Sequence, residues 1–253
     1  MKFSACIELL FAEETSDLAD RIRMARDAGL DGVEFWRWTN KDLKALEKAL
    51  QETDLPLIGL VAEPIVPLTD ARWHVEFLEG LQASIETARR LGASNLIAQT
   101  GNLLDTPRTE QRQALTDCLR HAADRLDGSG VVLAIEPLNT RIDHPGYFLS
   151  STTEGLDIVE AVSRPEIRLL YDIYHAAVMD EDIAPVLQER LDLIAHVHLA
   201  DSPGRGEPGS GLLDWHARLK WLFQAGYRGF VGLEYRPTRS TLDTLGFRDL
   251  LPT

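Results

Sequence analysis

Eight short runs rich in Val, Ile, Leu and Phe, separated by amphipathic or polar stretches, constrain this chain more than any other feature. They are KFSACI from Lys2, DGVEFW from Asp31, PLIGLVA from Pro56, SNLIAQ from Ser94, VVLAIEP from Val131, IRLLYD from Ile167, IAHVHLAD from Ile194 and RGFVGLEY from Arg228. Between them lie stretches of helical period such as LADRIRMARDAGL, KDLKALEKAL, ASIETARRLGA, LTDCLRHAADRL, GLDIVEAV and ARLKWLFQAGY, several closed by a glycine past the last apolar position. Strands that alternate with helices pair in parallel, because each parallel neighbour needs a crossover. Eight such units predict an α/β fold of the (β/α)₈ TIM barrel type, and 253 residues suit one barrel. No Pro/Ser linker or low-complexity tract divides the chain, so residues 1–253 are expected to form a single domain. The phrases AGLDGVEF and AGYRGFVGLEY share a layout in which Ala-Gly ends a helix and a second glycine enters the next strand.

Composition narrows the partners. A formal net charge of -14 repels phosphate backbones, so nucleic acid is not expected as a partner. No stretch approaches about 18 uninterrupted apolar residues, and the N-terminal MKFSACIELLFAEE lacks the layout of a signal peptide. No membrane association and a cytoplasmic location are therefore expected. Cys6 and Cys118 lack CxxC spacing and read as small buried hydrophobes.

Four residues carry the chemistry. Glu136, Asp172, His198 and Glu234 lie at or beside the C-terminal ends of the fifth, sixth, seventh and eighth strands. Neighbouring barrel strands run roughly 4.8 Å apart, so these side chains converge at the face where barrel active sites are built. Their flanking residues are apolar, and three carboxylates packed together repel unless a cation sits among them. Three oxygen donors and one nitrogen, with no thiolate, favour Mg²⁺, Mn²⁺ or Co²⁺ over a closed structural zinc site.

Further candidates surround this set. Of the two histidines in HVH, taken to point to opposite faces, His198 lies nearer the strand end and is assigned to the metal. His196 is then expected to pack toward the helices. His175, three residues past Asp172 in the sixth loop, could hydrogen-bond a substrate oxygen. Arg205 lies in SPGRGEPGSG, where a guanidinium could grip a carboxylate and the glycines could turn backbone N–H groups toward an anion. Glu34 either supports the pocket floor or is structural. Trp36 and Trp38 either wall the pocket or cap the barrel. His74, His121, His144 and His216 have no assigned role. GxGxxG, Walker and GxSxG patterns are absent.

At GLDGVEFW, IEPLNTRIDHPGYFLSS, YDIYHAAVMD, AHVHLADSPGRGEPGSG and GYRGFVGLEYRP the chain resembles the hydroxypyruvate isomerase family. That family lies within the xylose-isomerase-like barrels, which also include the ketose 3-epimerases. The resemblance implies Mg²⁺- or Mn²⁺-dependent proton transfer at carbon, with Glu136 and Glu234 as ligands that also act as acid and base. Asp172 and His198 carry over as ligands, and His175 and Arg205 as substrate contacts. Hydroxypyruvate isomerases often have Gln at the His198 position, where the epimerases have His. The implied substrate is a small hydroxycarbonyl acid, with hydroxypyruvate giving 2-hydroxy-3-oxopropanoate, or a 2-oxotetronate. Epimerisation of a neutral sugar at carbon 3 shares the same enediolate and is the alternative. A non-catalytic metal- or sugar-binding barrel is the alternative from another class. Helix faces show no coiled-coil register, and association into a homo-oligomer follows only from the resemblance.

Overall fold

The computed structural model describes residues 1–250 and contains the eight expected strands in one closed, all-parallel barrel in chain order. They are β1 (Lys2–Cys6), β2 (Gly32–Glu34), β3 (Leu57–Val61), β4 (Asn95–Ala98), β5 (Val132–Ile135), β6 (Ile167–Asp172), β7 (Ile194–Leu199) and β8 (Phe230–Leu233). Pairing of β1 with β8 through Phe3↔Val231 and Ala5↔Leu233 closes the cylinder, so no strand edge is left open.

The outer layer is built from α1 (Leu18–Asp27), α2 (Leu43–Thr53), α3 (His74–Leu91), α4 (Arg108–Leu126), α5 (Thr152–Val162), α6 (Ile173–Val178), α7 (Ile183–Leu187), α8 (Trp215–Gln224) and α9 (Thr241–Thr244). The six long helices match the amphipathic stretches in the sequence. The short α6, α7 and α9 carry too few turns to show a period. Carboxylate and hydroxyl caps start most long helices: Asp17 on α1, Asp42 on α2, Ser151 on α5 and Asp214 on α8 accept backbone N–H groups of their first turns.

The two matching Ala-Gly phrases adopt one shared geometry. Gly29 (φ 67°) and Gly226 (φ 100°) are left-handed. Beyond them Leu30 N–H donates to Ala25 and Tyr227 N–H to Leu222, the six-to-one bond that ends a helix and releases the chain into a strand. The echo is thus a repeated helix stop.

Side-chain alternation then divides each strand between two environments. Leu133, Ile135, Tyr171, Val197, Leu199 and Leu233 are buried against the helix layer in the main core. The other face points into the barrel, where Ile97, Ala134 and Leu170 form a small separate apolar cluster. Ala134 and Leu170 sit two residues before Glu136 and Asp172, so they form the layer beneath those carboxylates. Cys118 is fully buried in α4, as expected of a small hydrophobe, and Cys6 is buried at the end of β1. Among the described residues no helix is long and apolar enough to cross a membrane.

Candidate metal centre

Glu136 follows β5, Asp172 ends β6, His198 lies in β7 and Glu234 follows β8. All four are buried, and each offers a ligand atom within 4.8 Å of the others. Convergence at the C-terminal face therefore occurs as the sequence predicts.

Each side chain is held differently. Asp172 ends its strand and caps α6, its Oδ1 accepting N–H of Tyr174 (2.7 Å) and His175 (3.0 Å). That leaves Oδ2 turned to Arg205 Nη2 at 3.9 Å and His175 Nε2 at 3.7 Å. Glu234 Oε1 accepts from Trp36 Nε1 at 2.8 Å, and its Oε2 from Arg205 Nη2 at 2.5 Å. His198 turns Nδ1 to Glu136 Oε1 at 3.7 Å and to Glu234 Oε2 at 3.5 Å. Those separations exceed a good hydrogen bond, and both His198 Nδ1 and Glu136 Oε1 are buried without a partner. An inward ring nitrogen beside an unpaired carboxylate oxygen is the arrangement a cation would complete, so the residues fit a bound divalent ion.

The charges push neighbouring groups apart. Burial raises the Glu136 carboxyl above the usual carboxylate range, and the nearby Glu234 charge adds to it against the opposing pull of His198. Glu234 is buried as well, yet His198, Arg205 and Trp36 together hold its carboxyl well below that range. Burial opposes charge on His198, but Glu234, Glu34 and Glu136 outweigh it and raise the imidazole.

Beneath the cluster, Glu34 corrects one expectation. His196 does not pack toward the helices: residues two apart on a strand share a face, so His196 and His198 both enter the barrel. Their Nε2 atoms lie 2.9 and 3.1 Å from one oxygen, Glu34 Oε2. Burial opposes ionisation of Glu34, but the two imidazoles pull its pKa down to about 2. Glu34 is thus in direct contact with a member of the cluster, and the Trp36 indole is a direct partner of Glu234. Trp38 instead donates to Ser84 (3.2 Å) and packs on the core.

His175 sits in the first turn of α6 rather than in a loop, because Asp172 nucleates that helix. Its Nδ1 accepts the Asn139 backbone N–H at 3.2 Å. A backbone N–H only donates, so Nδ1 is bare and the proton lies on Nε2, which is buried and unpaired. Arg205 takes a left-handed conformation (φ 54°), and its guanidinium lies over the Tyr174 ring at 5.2 Å. Its loop is tied down from within. Asp201 accepts N–H of Gly209 (2.7 Å) and Leu213 (3.0 Å), and Glu207 accepts from Thr238. Of the glycine amides expected to meet an external anion, that of Gly209 is therefore used by the chain's own Asp201.

These groups line an open cavity of about 370 Å³, which includes Glu136, His175, His198, Arg205 and Glu234. Trp36, Val61, Ile97 and Leu138 supply its apolar wall. Five polar residues to which the sequence assigns no role also line it: Arg37, Gln99, Asp143, Arg236 and His144, whose ring is tilted 60° to that of His175 at 5.5 Å. Among the described residues Arg205 is paired with Glu234 and Arg37 with Glu63, whereas Arg236 has no carboxylate partner. The EYRP phrase was its only sequence signal. His74, His121 and His216 lie away from the cavity.

Comparison with known proteins agrees with this architecture. The family described as xylose isomerase-like TIM barrel matches residues 22–248. Hydroxypyruvate isomerase from Escherichia coli strain K12 is 32% identical, over 98% of each chain. 2-Oxo-tetronate isomerase from Pectobacterium atrosepticum is 26% identical over 98% of this chain and 97% of that protein. Among solved structures, an AP endonuclease, family 2, from Brucella melitensis superposes with a TM-score of 0.93 at 28% identity, covering 100% of this chain and 99% of that one. With a barrel matched end to end and an inward cluster that can hold a metal, the chain belongs to the xylose isomerase-like TIM barrel family and groups with its isomerases.

Proposed function

We propose that the protein is a metal-dependent isomerase that moves a proton between adjacent carbons of a small hydroxy-oxo acid. Hydroxypyruvate, giving 2-hydroxy-3-oxopropanoate, or a 2-oxotetronate is the substrate class. The observation that carries this reading is the convergence of Glu136, Asp172, His198 and Glu234, with Glu136 Oε1 and His198 Nδ1 buried and unpaired. Three carboxylates and one imidazole suit Mg²⁺ or Mn²⁺, with Co²⁺ also compatible. A divalent ion held by Glu136, Asp172, His198 and Glu234 would supply Lewis-acid stabilisation of the negative charge that develops on substrate oxygen as the carbon proton leaves.

The protein's own groups do the rest. One of Glu136 and Glu234 takes the proton from the hydroxyl-bearing carbon, and the proton is returned to the former carbonyl carbon. A second proton must pass from the original hydroxyl oxygen to the original carbonyl oxygen. His175 Nε2–H, aimed into the cavity with its tautomer fixed by Asn139, is a donor placed for a substrate oxygen. Arg205 keeps Nε buried and unpaired while Nη2 holds Glu234, so it joins the base to the substrate. Arg236, free of carboxylates at the cavity, draws in the anionic end of the acid. Trp36 and Leu138 limit water around the reacting carbons. An acidic chain acting on a small metabolite suits the cytoplasm.

His198, the epimerase-type ligand, favours a second reading in which a glutamate returns the proton to the opposite face of the same carbon of a ketose. Solvent-deuterium uptake followed by NMR, with hydroxypyruvate, 2-oxotetronates, fructose and tagatose, separates the two. Label entering only the acids supports the isomerase reading. Label entering only the ketoses at carbon 3 replaces it with epimerisation, and no uptake in any of them removes both.

A further inference from the structure

We propose that Glu34, a residue outside the cluster of candidate ligands, is a positioning residue that fixes the proton of His198 on Nε2 and thereby presents Nδ1 as the metal-ligating atom. This rests on the reading of the cluster as a metal centre. An imidazole offers two nitrogens, and which one can ligate depends on where its proton is held. A carboxylate only accepts hydrogen bonds, so Oε2 of Glu34 at 3.1 Å requires a proton on His198 Nε2. In the neutral imidazole that a metal requires, the opposite nitrogen is then bare, and it is the one that faces Glu136 and Glu234 at 3.7 and 3.5 Å.

Three other features hold Glu34 in this role. His196 Nε2, 2.9 Å from the same oxygen, fills its second acceptor direction and keeps it from swinging toward the cluster. Ser4 Oγ, 3.2 Å from Oε1, anchors the other oxygen. Gly232, the register partner of both His198 and Ser4, leaves the space the carboxylate occupies: a Cβ there would lie 2.1 Å from Glu34 Oε1 and 2.8 Å from His196 Nε2. A glycine is therefore required in the middle of β8 by a side chain two strands away.

The test combines proton placement with metal binding. In ¹⁵N-histidine-labelled protein at saturating Mg²⁺, long-range ¹H–¹⁵N NMR should find a single His198 proton, on Nε2, with Nδ1 carrying none. By calorimetry, Glu34→Ala should weaken Mn²⁺ binding about 10- to 100-fold. Glu34→Gln should retain most of the affinity, because its amide oxygen can still accept from both histidines while its amide donates to Ser4. A proton retained on Nδ1 of wild-type His198 at saturating Mg²⁺ overturns the inference, as does Glu34→Ala binding Mn²⁺ within twofold of wild type. If Glu34→Ala does not fold, Glu34→Asp draws the carboxylate back from His198 by one methylene and should weaken Mn²⁺ binding in the same direction; unchanged affinity in that variant overturns the inference. A wild-type protein that binds neither ion removes the metal reading itself, and the Nε2 proton then still reports whether Glu34 orients His198.

Discussion

The two halves of this barrel share one backbone plan and differ in what their strands end on. β5 to β8 lead into Glu136, Asp172, His198 and Glu234, three carboxylates and an imidazole brought within 4.8 Å of one another. β1 to β4 lead into an apolar wall that includes Trp36, Val61 and Ile97. One carboxylate breaks the division: Glu34 of β2 crosses the barrel interior to His196 and His198. The charged half is electrostatically unfavourable without a cation, whereas the apolar half stabilises the fold by burial. Within β5 to β8 the two roles separate by face instead: the ligands turn to the barrel mouth while Leu133, Ile135, Tyr171, Val197, Leu199 and Leu233 turn to the helix layer, which lets a site be strained without unfolding its scaffold.

The sharpest way to break that comparison is to remove chemistry from the charged half. Glu234→Gln should lower turnover about 10²- to 10⁴-fold while the protein stays folded. Wild-type turnover of every candidate substrate would remove the acid/base role. Next, Leu60→Ala in β3, at a fully buried position, should cost about 2–5 kcal/mol in denaturant unfolding. If it costs turnover but not stability, the division between halves is wrong.

pH sharpens the exception. The Glu34 carboxyl is lowered from 4.5 in the unfolded chain to about 2 in the folded one. Its stabilisation is therefore complete above pH 4.5 and lost as pH falls toward 2. Unfolding of metal-free wild type and Glu34→Gln across that range should converge toward acid; parallel curves would show that Glu34 is not charge-paired. The smallest effect concerns Glu136, whose carboxyl is raised by burial and by Glu234. In metal-free protein at neutral pH, Glu136→Gln should stabilise the fold slightly, and a destabilised variant would show that the cluster is not under repulsion.

Strand-level signals carried most of the fold and the ligand set. Each strand announced itself by a local apolar run, and each ligand stood at a run's end, so no long-range knowledge was needed. His196 was misplaced although the sequence contained the answer, since two-residue spacing puts it on the same face as His198. His175 was read as a loop residue because α6 has only six residues, too few to show a helical period. Arg205 was legible as a site residue, but its pairing with Glu234 depends on the packing of two loops 29 residues apart. Asn139, which sets the His175 tautomer, carried no motif at all.

By itself, the sequence determined the eight parallel strands, the helix stops at Gly29 and Gly226, and the four residues at the C-terminal ends of β5 to β8. Those follow from periodicity and from residues near one another in the chain. Only the tertiary structure decided which atoms of those residues face one another. Closure places Gly232 between His198 and Ser4, and so opens the space from which Glu34 reaches both histidines. That register arises from packing among distant segments, so the orientation of His198 belongs to the closed barrel and to no single stretch of sequence.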